Sequence, residues 1–133
     1  MICMNDAMMT GIPHVDNQHR TLIDAINQFT EACAQGKGRK QIEETLDFVV
    51  SYTREHFRDE ERIQERFSFP GVALHRWLHT QFSIKITALV QEFRQTGPTV
   101  VLVGELNKAL ADWFINHIKT EDKKIGEYIK KAS

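Results

Sequence analysis

The sequence predicts an all-α protein, an antiparallel four-helix bundle with up-down-up-down topology and an extended N-terminal arm. Apolar residues recur every three or four positions in four long segments, which is the periodicity of helices that pack together. Glycine and proline separate these segments, and no segment alternates apolar and polar residues as a strand does. A chain of 133 residues can form one domain with one core. We expect a single domain over 1–133, with the arm at 1–15 and the bundle at 16–131.

The arm and the first helix are predicted from local signals. Gly11 and Pro13 disfavour an early helix, so the first fifteen residues are expected to be extended. Asp16 is a residue type that favours the N-cap, and the helix is predicted to end at Gly36. One stripe of this helix is predicted to face the core, namely His19, Leu22, Ile23, Ile26, Phe29 and Cys33.

The second helix is predicted over 39–67, and two of its core positions are polar. His56 and Glu60 lie one turn apart on the same face. A buried carboxylate is costly unless it is neutralised, so the two residues either pair with each other or bind a metal ion. The remaining core positions are Ile42, Leu46, Val49, Thr53, Ile63 and Phe67. The opposite face is predicted to be solvent-exposed and carries Arg54, Glu55, Arg58, Asp59, Glu61, Arg62 and Glu65.

The third and fourth helices also combine apolar and polar core positions. The third follows the turn Ser68-Phe69-Pro70-Gly71 and ends at Thr96-Gly97-Pro98. Its predicted core residues are Val72, His75, His79, Phe82, Ile86, Leu89 and Phe93. The fourth is predicted from about 99 to 129, with Val103, Leu106, Leu110, Trp113 and His117 in the core.

A change of register follows His117 in the fourth helix. The pattern continues one position late, at Asp122, Ile125 and Ile129. Five residues of ideal helix turn by about 140°, which would place His117 and Asp122 on different faces. We therefore predict a π-bulge that absorbs one extra residue, a feature that is common at functional sites.

The composition argues against several classes of protein. The 17 basic and 18 acidic residues nearly balance, so no basic face for nucleic acid is expected. The apolar runs are far too short to cross a membrane, and the N-terminus lacks the features of a signal peptide. Cys3 and Cys33 form no metal or haem motif. They are predicted to be free thiols in a reducing compartment, the cytoplasm.

The polar residues at core positions come from all four helices. They comprise five of the six histidines and two carboxylates: His19, His56, Glu60, His75, His79, His117 and Asp122. A lone histidine on an apolar face is usually a hydrogen-bonded core residue. Five histidines and two carboxylates at core positions of four helices instead indicate a metal site. Imidazole and carboxylate without thiolate suit iron or manganese better than structural zinc. Seven ligands are too many for one ion. Two six-coordinate ions with bridging carboxylates and a bridging hydroxide would keep one position open.

These residues and their spacing resemble the hemerythrin family, in its bacterial single-domain form. The matching pattern is Asp16-Asn17-Gln18-His19, His56-x3-Glu60, Pro70-Gly71 before His75-x3-His79, and His117-x4-Asp122. The resemblance implies a non-haem di-iron centre with a bridging hydroxide or oxide. It also implies reversible binding of O2, and of small anions such as azide, at that centre.

The resemblance further implies roles for individual residues. One iron would be bound by His75, His79 and His117. The other, which keeps the open position, would be bound by His19 and His56. Both irons would be bridged by Glu60 and Asp122. The walls of the O2 pocket would be Leu22, Phe57, Trp113 and Ile118.

Three functions follow from this resemblance. The first is O2 binding for carriage, storage or delivery, which is not enzymatic. The second is a sensing module for O2, redox state or nitric oxide, but sensors usually attach such a domain to an output module and this sequence contains none. The third is a di-iron oxidase or peroxidase. Oxygen-activating bundles favour paired Glu-x-x-His motifs, which are absent from the sequence, so the first function is favoured.

Overall fold

The computed structural model describes residues 2–132 and confirms the predicted antiparallel bundle of four long helices. The first three helices are Pro13–Ala34, Arg39–Arg66 and Val72–Thr96. The fourth runs from 100 to 132 and consists of the α-helical segments Val100–Asn107, Phe114–His117 and Lys123–Ala132, joined by the π-helical segments Lys108–Trp113 and Ile118–Asp122. Met1 of the predicted arm and Ser133 of the predicted domain lie outside the described residues.

The first helix begins at Pro13, so the prediction that Asp16 is its N-cap is wrong. Proline suits the first helical position, because its missing N–H has no partner there and its fixed φ is already helical. Asp16 lies one turn further on. Its carboxylate accepts hydrogen bonds from the backbone N–H of Thr10 at 2.9 Å and of Gly11 at 3.1 Å, and from the Thr10 hydroxyl. Asp16 therefore holds the arm against the first helix.

The arm packs back onto the bundle and is attached at both ends. A single turn of 3-10 helix brings Met8 into the core, where it is 1 % exposed. The backbone of Ile2 exchanges two hydrogen bonds with the side chain of Asn27, at 3.0 and 2.7 Å. At the other end the carbonyl of Thr10 lies against Gly126, where an added Cβ would stand 1.9 Å from the oxygen. The arm thus packs along the first helix and meets the fourth helix one turn beyond the candidate ligand Asp122.

Short capped turns keep neighbouring helices antiparallel. Gly36 adopts a left-handed φ of 65°, and the N–H of Lys37 reaches back to the carbonyl of Ala32 at 3.0 Å, which ends the first helix. The hydroxyl of Thr99 accepts the N–H of Leu102 at 3.2 Å and caps the fourth helix. Because each turn is short, helices that are adjacent in sequence are also adjacent in space.

The core of the second helix differs from the prediction near its C-terminus. Ile63 is half-buried and Phe67 is 41 % exposed, whereas Gln64 is fully buried. After Glu60 the next buried residue lies four positions on rather than three. An α-helix has 3.6 residues per turn, so core positions predicted by a strict alternation of three and four residues gradually move off the buried face. The assignment of Ile63 and Phe67 to the core is therefore wrong.

The π-helical segment Ile118–Asp122 confirms the predicted bulge between His117 and Asp122. The extra residue returns Asp122 to the face of His117, and both side chains are buried.

The second π-helical segment, Lys108–Trp113, was not predicted. On both sides of this segment, the residues that face the core are not the ones that the sequence predicted. Leu102 and Phe114 are buried there, while Val103 and Trp113 are only half-buried.

The loops after the first and third helices lie at one end of the bundle. Between that end and the buried polar residues, the interior is filled by apolar side chains. The largest fully buried ones in this part include Phe29, Phe93, Leu46, Leu102 and Leu106. Across residues 2–132, no helix has both the length and the apolar composition needed to span a membrane.

Candidate metal centre

Seven buried polar side chains converge near one end of the bundle. The first and third helices contribute residues from their N-terminal halves, and the second and fourth contribute residues from their C-terminal halves. Each of the seven is at most 4 % exposed: His19, His56, Glu60, His75, His79, His117 and Asp122. Their potential ligand atoms form two groups that share both carboxylates. The structure thus brings together every residue that the sequence nominated as a ligand.

The larger group contains His75, His79 and His117. The Nε2 atom of His117 lies 3.1 Å from that of His75 and 3.2 Å from that of His79. Oε1 of Glu60 is 2.7 Å from Nε2 of His75, and Oδ1 of Asp122 is 2.9 Å from the same atom. Five side chains therefore direct one atom each towards a common point.

The smaller group contains His19 and His56, whose Nε2 atoms are 3.0 Å apart. Oε2 of Glu60 lies 3.1 Å from Nε2 of His56, and Oδ2 of Asp122 lies 3.0 Å from Nε2 of His19. Each carboxylate consequently places one oxygen in each group. Carboxylates that bridge two metal ions have this arrangement.

Hydrogen bonding alone does not account for this cluster. A ring nitrogen offers one proton or one lone pair, yet Nε2 of His117 approaches two other ring nitrogens at hydrogen-bond distance. Oε2 of Glu60 and both oxygens of Asp122 have no hydrogen-bond partner among the described residues, although histidine nitrogens lie between 2.9 and 3.1 Å from them. Ligand atoms around an octahedral ion at about 2.1 Å are roughly 3 Å apart. The donor set therefore fits two cations, and its imidazole and carboxylate composition suits iron.

Opposite charges lie side by side in the cluster and shift one another's pKa values. Burial alone would lower the pKa values of His19 and His75, but the carboxylates of Asp122 and Glu60 beside them outweigh this and raise them to about 9 and about 10. Burial alone would raise the pKa of Glu60, but the charge of His56 and the imidazoles of His19 and His75 beside it hold it well below its usual range. Ligating imidazoles must be neutral at Nε2, so a cation that binds here takes the place of these protons.

Two residues outside the cluster orient its histidines. Oε1 of Gln18 lies 2.7 Å from Nδ1 of His56, and the Gln18 amide donates to Asp59 at 2.9 Å. Oε2 of Glu61 lies 2.9 Å from Nδ1 of His79. Such bonds fix the ring orientation and the tautomer that turns Nε2 inwards. Sequence analysis missed both roles and placed Glu61 on the exposed face. The available signal was that each residue directly adjoins a candidate ligand in the sequence.

The four residues predicted to line an O2 pocket lie in or beside the core around the two groups. They are Leu22, Phe57, Trp113 and Ile118, of which only Trp113 is more than 5 % exposed. The ring of Phe57 stacks on that of His79 with centroids 3.7 Å apart, and Trp113 stacks on His117 at 4.6 Å. Both aromatic residues thus pack directly against the three-histidine group.

Phe114 is a further aromatic neighbour that sequence analysis missed. It is 1 % exposed, and its ring meets those of His19 and His56 edge-on with centroids 6.0 and 6.2 Å apart. Phe114 therefore packs against both rings of the two-histidine group. Its position three residues before His117 on the same helix was a usable signal, since residues three apart share a face.

Comparison with known proteins agrees with this geometry. A family model described as the hemerythrin HHE cation binding domain matches residues 10–129. The chain belongs to the hemerythrin family. A bacteriohemerythrin from Stenotrophomonas maltophilia is 30 % identical over 130 residues, which cover 98 % of this chain and 82 % of that protein. A bacteriohemerythrin from Methylococcus capsulatus is 28 % identical over 117 residues, which cover 88 % and 87 % of the two chains.

Solved hemerythrin structures have the same fold as this chain. A crystal structure of wild-type hemerythrin matches with a TM-score of 0.87 at 25 % identity, covering 97 % of this chain and 98 % of that chain. The hemerythrin cofactor is a di-iron centre, and the buried histidine and carboxylate cluster of this chain is suited to hold it.

Proposed function

We propose that this hemerythrin binds O2 reversibly at its di-iron centre and serves in the carriage, storage or delivery of oxygen. The observation that carries this proposal is the position of the two carboxylates. Glu60 and Asp122 each place one oxygen with the three-histidine group and the other with the two-histidine group. Two ferrous ions held in this way would each be able to supply one of the two electrons that reduce O2 to the peroxide level.

The five histidines divide the two irons unequally. In this proposal His75, His79 and His117 bind one iron, while His19 and His56 bind the other. His19 and His56 would give the second iron one protein ligand fewer, which would leave room for O2 or for a small anion such as azide. When bound, the iron pair supplies the electrons that O2 binding uses and recovers them on release. The chain supplies orientation, charge balance and a buried apolar surround.

A binding role rather than catalysis is part of the proposal. The cluster is rich in histidine and contains no Glu-x-x-His pair, unlike the di-iron carboxylate enzymes of similar bundles. We also assign the protein to the cytoplasm, because Cys3 and Cys33 are both free thiols. Residues 1–133 are taken as a single hemerythrin-like domain.

Metal analysis and optical spectra test the proposal. Purified protein is expected to contain about two irons per chain and no haem, and the reduced protein is expected to change its visible absorption in air. The protein loaded with zinc serves as the control, since zinc has no redox chemistry. One zinc per chain from cells grown with ample iron would overturn the assignment.

A further inference from the structure

Gln64 is an unusual residue in the core of this bundle. It is fully buried, and neither atom of its amide has a hydrogen-bond partner among the described residues. Glutamine is mostly exposed in folded proteins, and an unpaired buried amide is costly. Unpaired buried groups of this kind call for an additional partner such as an ion, a water molecule or a shifted neighbour.

The position of Gln64 identifies that partner. It follows Glu60 by four residues in a continuous α-helix, so the two side chains share a face. Long helical side chains lean towards the N-terminus and cover the preceding turn, which for Gln64 is the turn of Glu60. Glu60 is also fully buried, and its Oε2 atom likewise has no hydrogen-bond partner among the described residues.

The carboxylate of Glu60 can accept another hydrogen bond when metal ions are bound. Its oxygens lie 2.7 Å from Nε2 of His75 and 3.1 Å from Nε2 of His56. Cations at the centre use the lone pairs of these nitrogens, so the rings no longer donate to the carboxylate. An ionised carboxylate has about four acceptor sites, and two ions occupy only two of them.

We propose that Gln64 is a positioning residue of the metal centre, whose amide N–H donates to Glu60 directly or through one internal water molecule. This inference rests on the proposed di-iron function. Hydrogen bonds to ligating carboxylates fix their orientation and support metal affinity. The amide is unpaired without metal and paired with it, so Gln64 favours the loaded protein over the metal-free one.

The substitution Gln64→Met tests this inference, because methionine has a similar length and no hydrogen-bonding amide. The melting temperature of the metal-free variant is expected to equal or exceed that of the wild type, since an unpaired amide has been removed. The loaded variant is expected to release ferrous iron to a chromophoric chelator about tenfold more readily, under anaerobic conditions. Gln64→Leu provides a second apolar variant if the first folds poorly.

Thr53→Val is the matched control. Thr53 is a buried polar residue of the same helix, but its hydroxyl already bonds the carbonyl of Val49 at 2.7 Å. Its loss should change the melting temperatures of the metal-free and loaded proteins alike and leave iron affinity unchanged. A crystal structure of the loaded protein distinguishes the two forms of the contact, by a direct nitrogen–oxygen distance or by a water between Gln64 and Glu60.

Two results would overturn the inference. One is unchanged iron release by Gln64→Met, and the other is an equal shift of both melting temperatures, as a purely structural residue would give. Failure of the wild-type protein to bind two irons would instead refute the proposed function. The two failures are therefore distinguished by the wild-type measurement.

Discussion

A buried carboxylate is stable only when its charge is compensated at close range. Glu60 is fully buried, and its two oxygens lie within 3.3 Å of Nε2 atoms of His56, His75 and His79. Removing one member of such a group leaves the others as uncompensated buried charges, which is strongly destabilising. The same logic makes Glu60 a sensitive position for testing the assignment of ligands.

Replacing Glu60 by glutamine should release iron while keeping the side-chain shape. The Glu60→Gln variant loses a bridging charge without opening a cavity, so we expect iron affinity to fall by well over tenfold. Iron content and release to a chelator measure this directly. Glu44→Gln is the control, because Glu44 lies exposed on the same helix. A Glu60→Gln protein that kept both irons at the wild-type affinity would show that Glu60 is not a ligand.

At the residue scale, the sequence reveals ligands better than the residues that orient them. Glu60 and His79 were identifiable because a polar residue at an apolar helical position is exceptional. Glu61 was not, since a charged residue on a charged helix face has an ordinary explanation as a solvated side chain. Its contact with His79, across two helices, appears only in the structure. Gln64 was missed because the buried row shifts by one position after Glu60.

At the scale of single elements, the fourth helix shows which irregularities a sequence can reveal. The bulge at Ile118–Asp122 was predictable because the apolar pattern and the candidate ligands slip by one residue together. The bulge at Lys108–Trp113 contains no candidate ligands that slip together with the apolar pattern. The change of register there was not recognised from the apolar residues alone. Similarly, Pro13 was read as preventing a helix, although proline favours the first helical position.

Two glycines of the fourth helix offer a test of how the arm docks. An added Cβ at Gly126 would stand 1.9 Å from the carbonyl oxygen of Thr10, whereas at Gly104 it would meet nothing within 4 Å. Gly126→Ala should therefore displace the arm and destabilise the protein by about 1–3 kcal/mol. Gly104→Ala should stabilise it by about 0.5–1 kcal/mol, because alanine loses less backbone entropy.

Denaturant unfolding of the two alanine variants provides the measurement. Proteolysis between the arm and the first helix should become faster in Gly126→Ala only. If both substitutions stabilised the protein equally, the contact between Thr10 and Gly126 would contribute nothing to the docking of the arm.

At the scale of the whole molecule, the antiparallel topology creates the site. Antiparallel neighbours bring the N-terminal parts of the first and third helices beside the C-terminal parts of the second and fourth, and all seven polar residues lie in those parts. The period of the apolar residues and the short turns made this architecture predictable. The packing of Phe114 against the two-histidine group was not, because it depends on the exact rotation of the fourth helix.

Reversibility of O2 binding is the property that tests the molecule as a whole. The residues proposed to line the pocket are apolar or aromatic, and Leu22 and Ile118 are fully buried. Such walls exclude water and offer no acidic group that could protonate the bound ligand. Bound oxygen should therefore dissociate as intact O2 when the partial pressure of O2 falls. Repeated cycles of the reduced protein between air and argon should restore the reduced spectrum each time, and azide should bind the oxidised protein at the same position.

Leu22→Glu should convert reversible binding into irreversible oxidation, because a carboxylic acid in the pocket delivers a proton or draws in water. Leu22→Gln is the matched control, since it adds polarity at the same position without an acid and should oxidise more slowly than Leu22→Glu. Circular dichroism of both variants verifies that the helices are intact. If the wild-type protein itself never regains its reduced spectrum under argon, and peroxide or oxidised product accumulates with turnover, the protein is an oxidase and not a carrier.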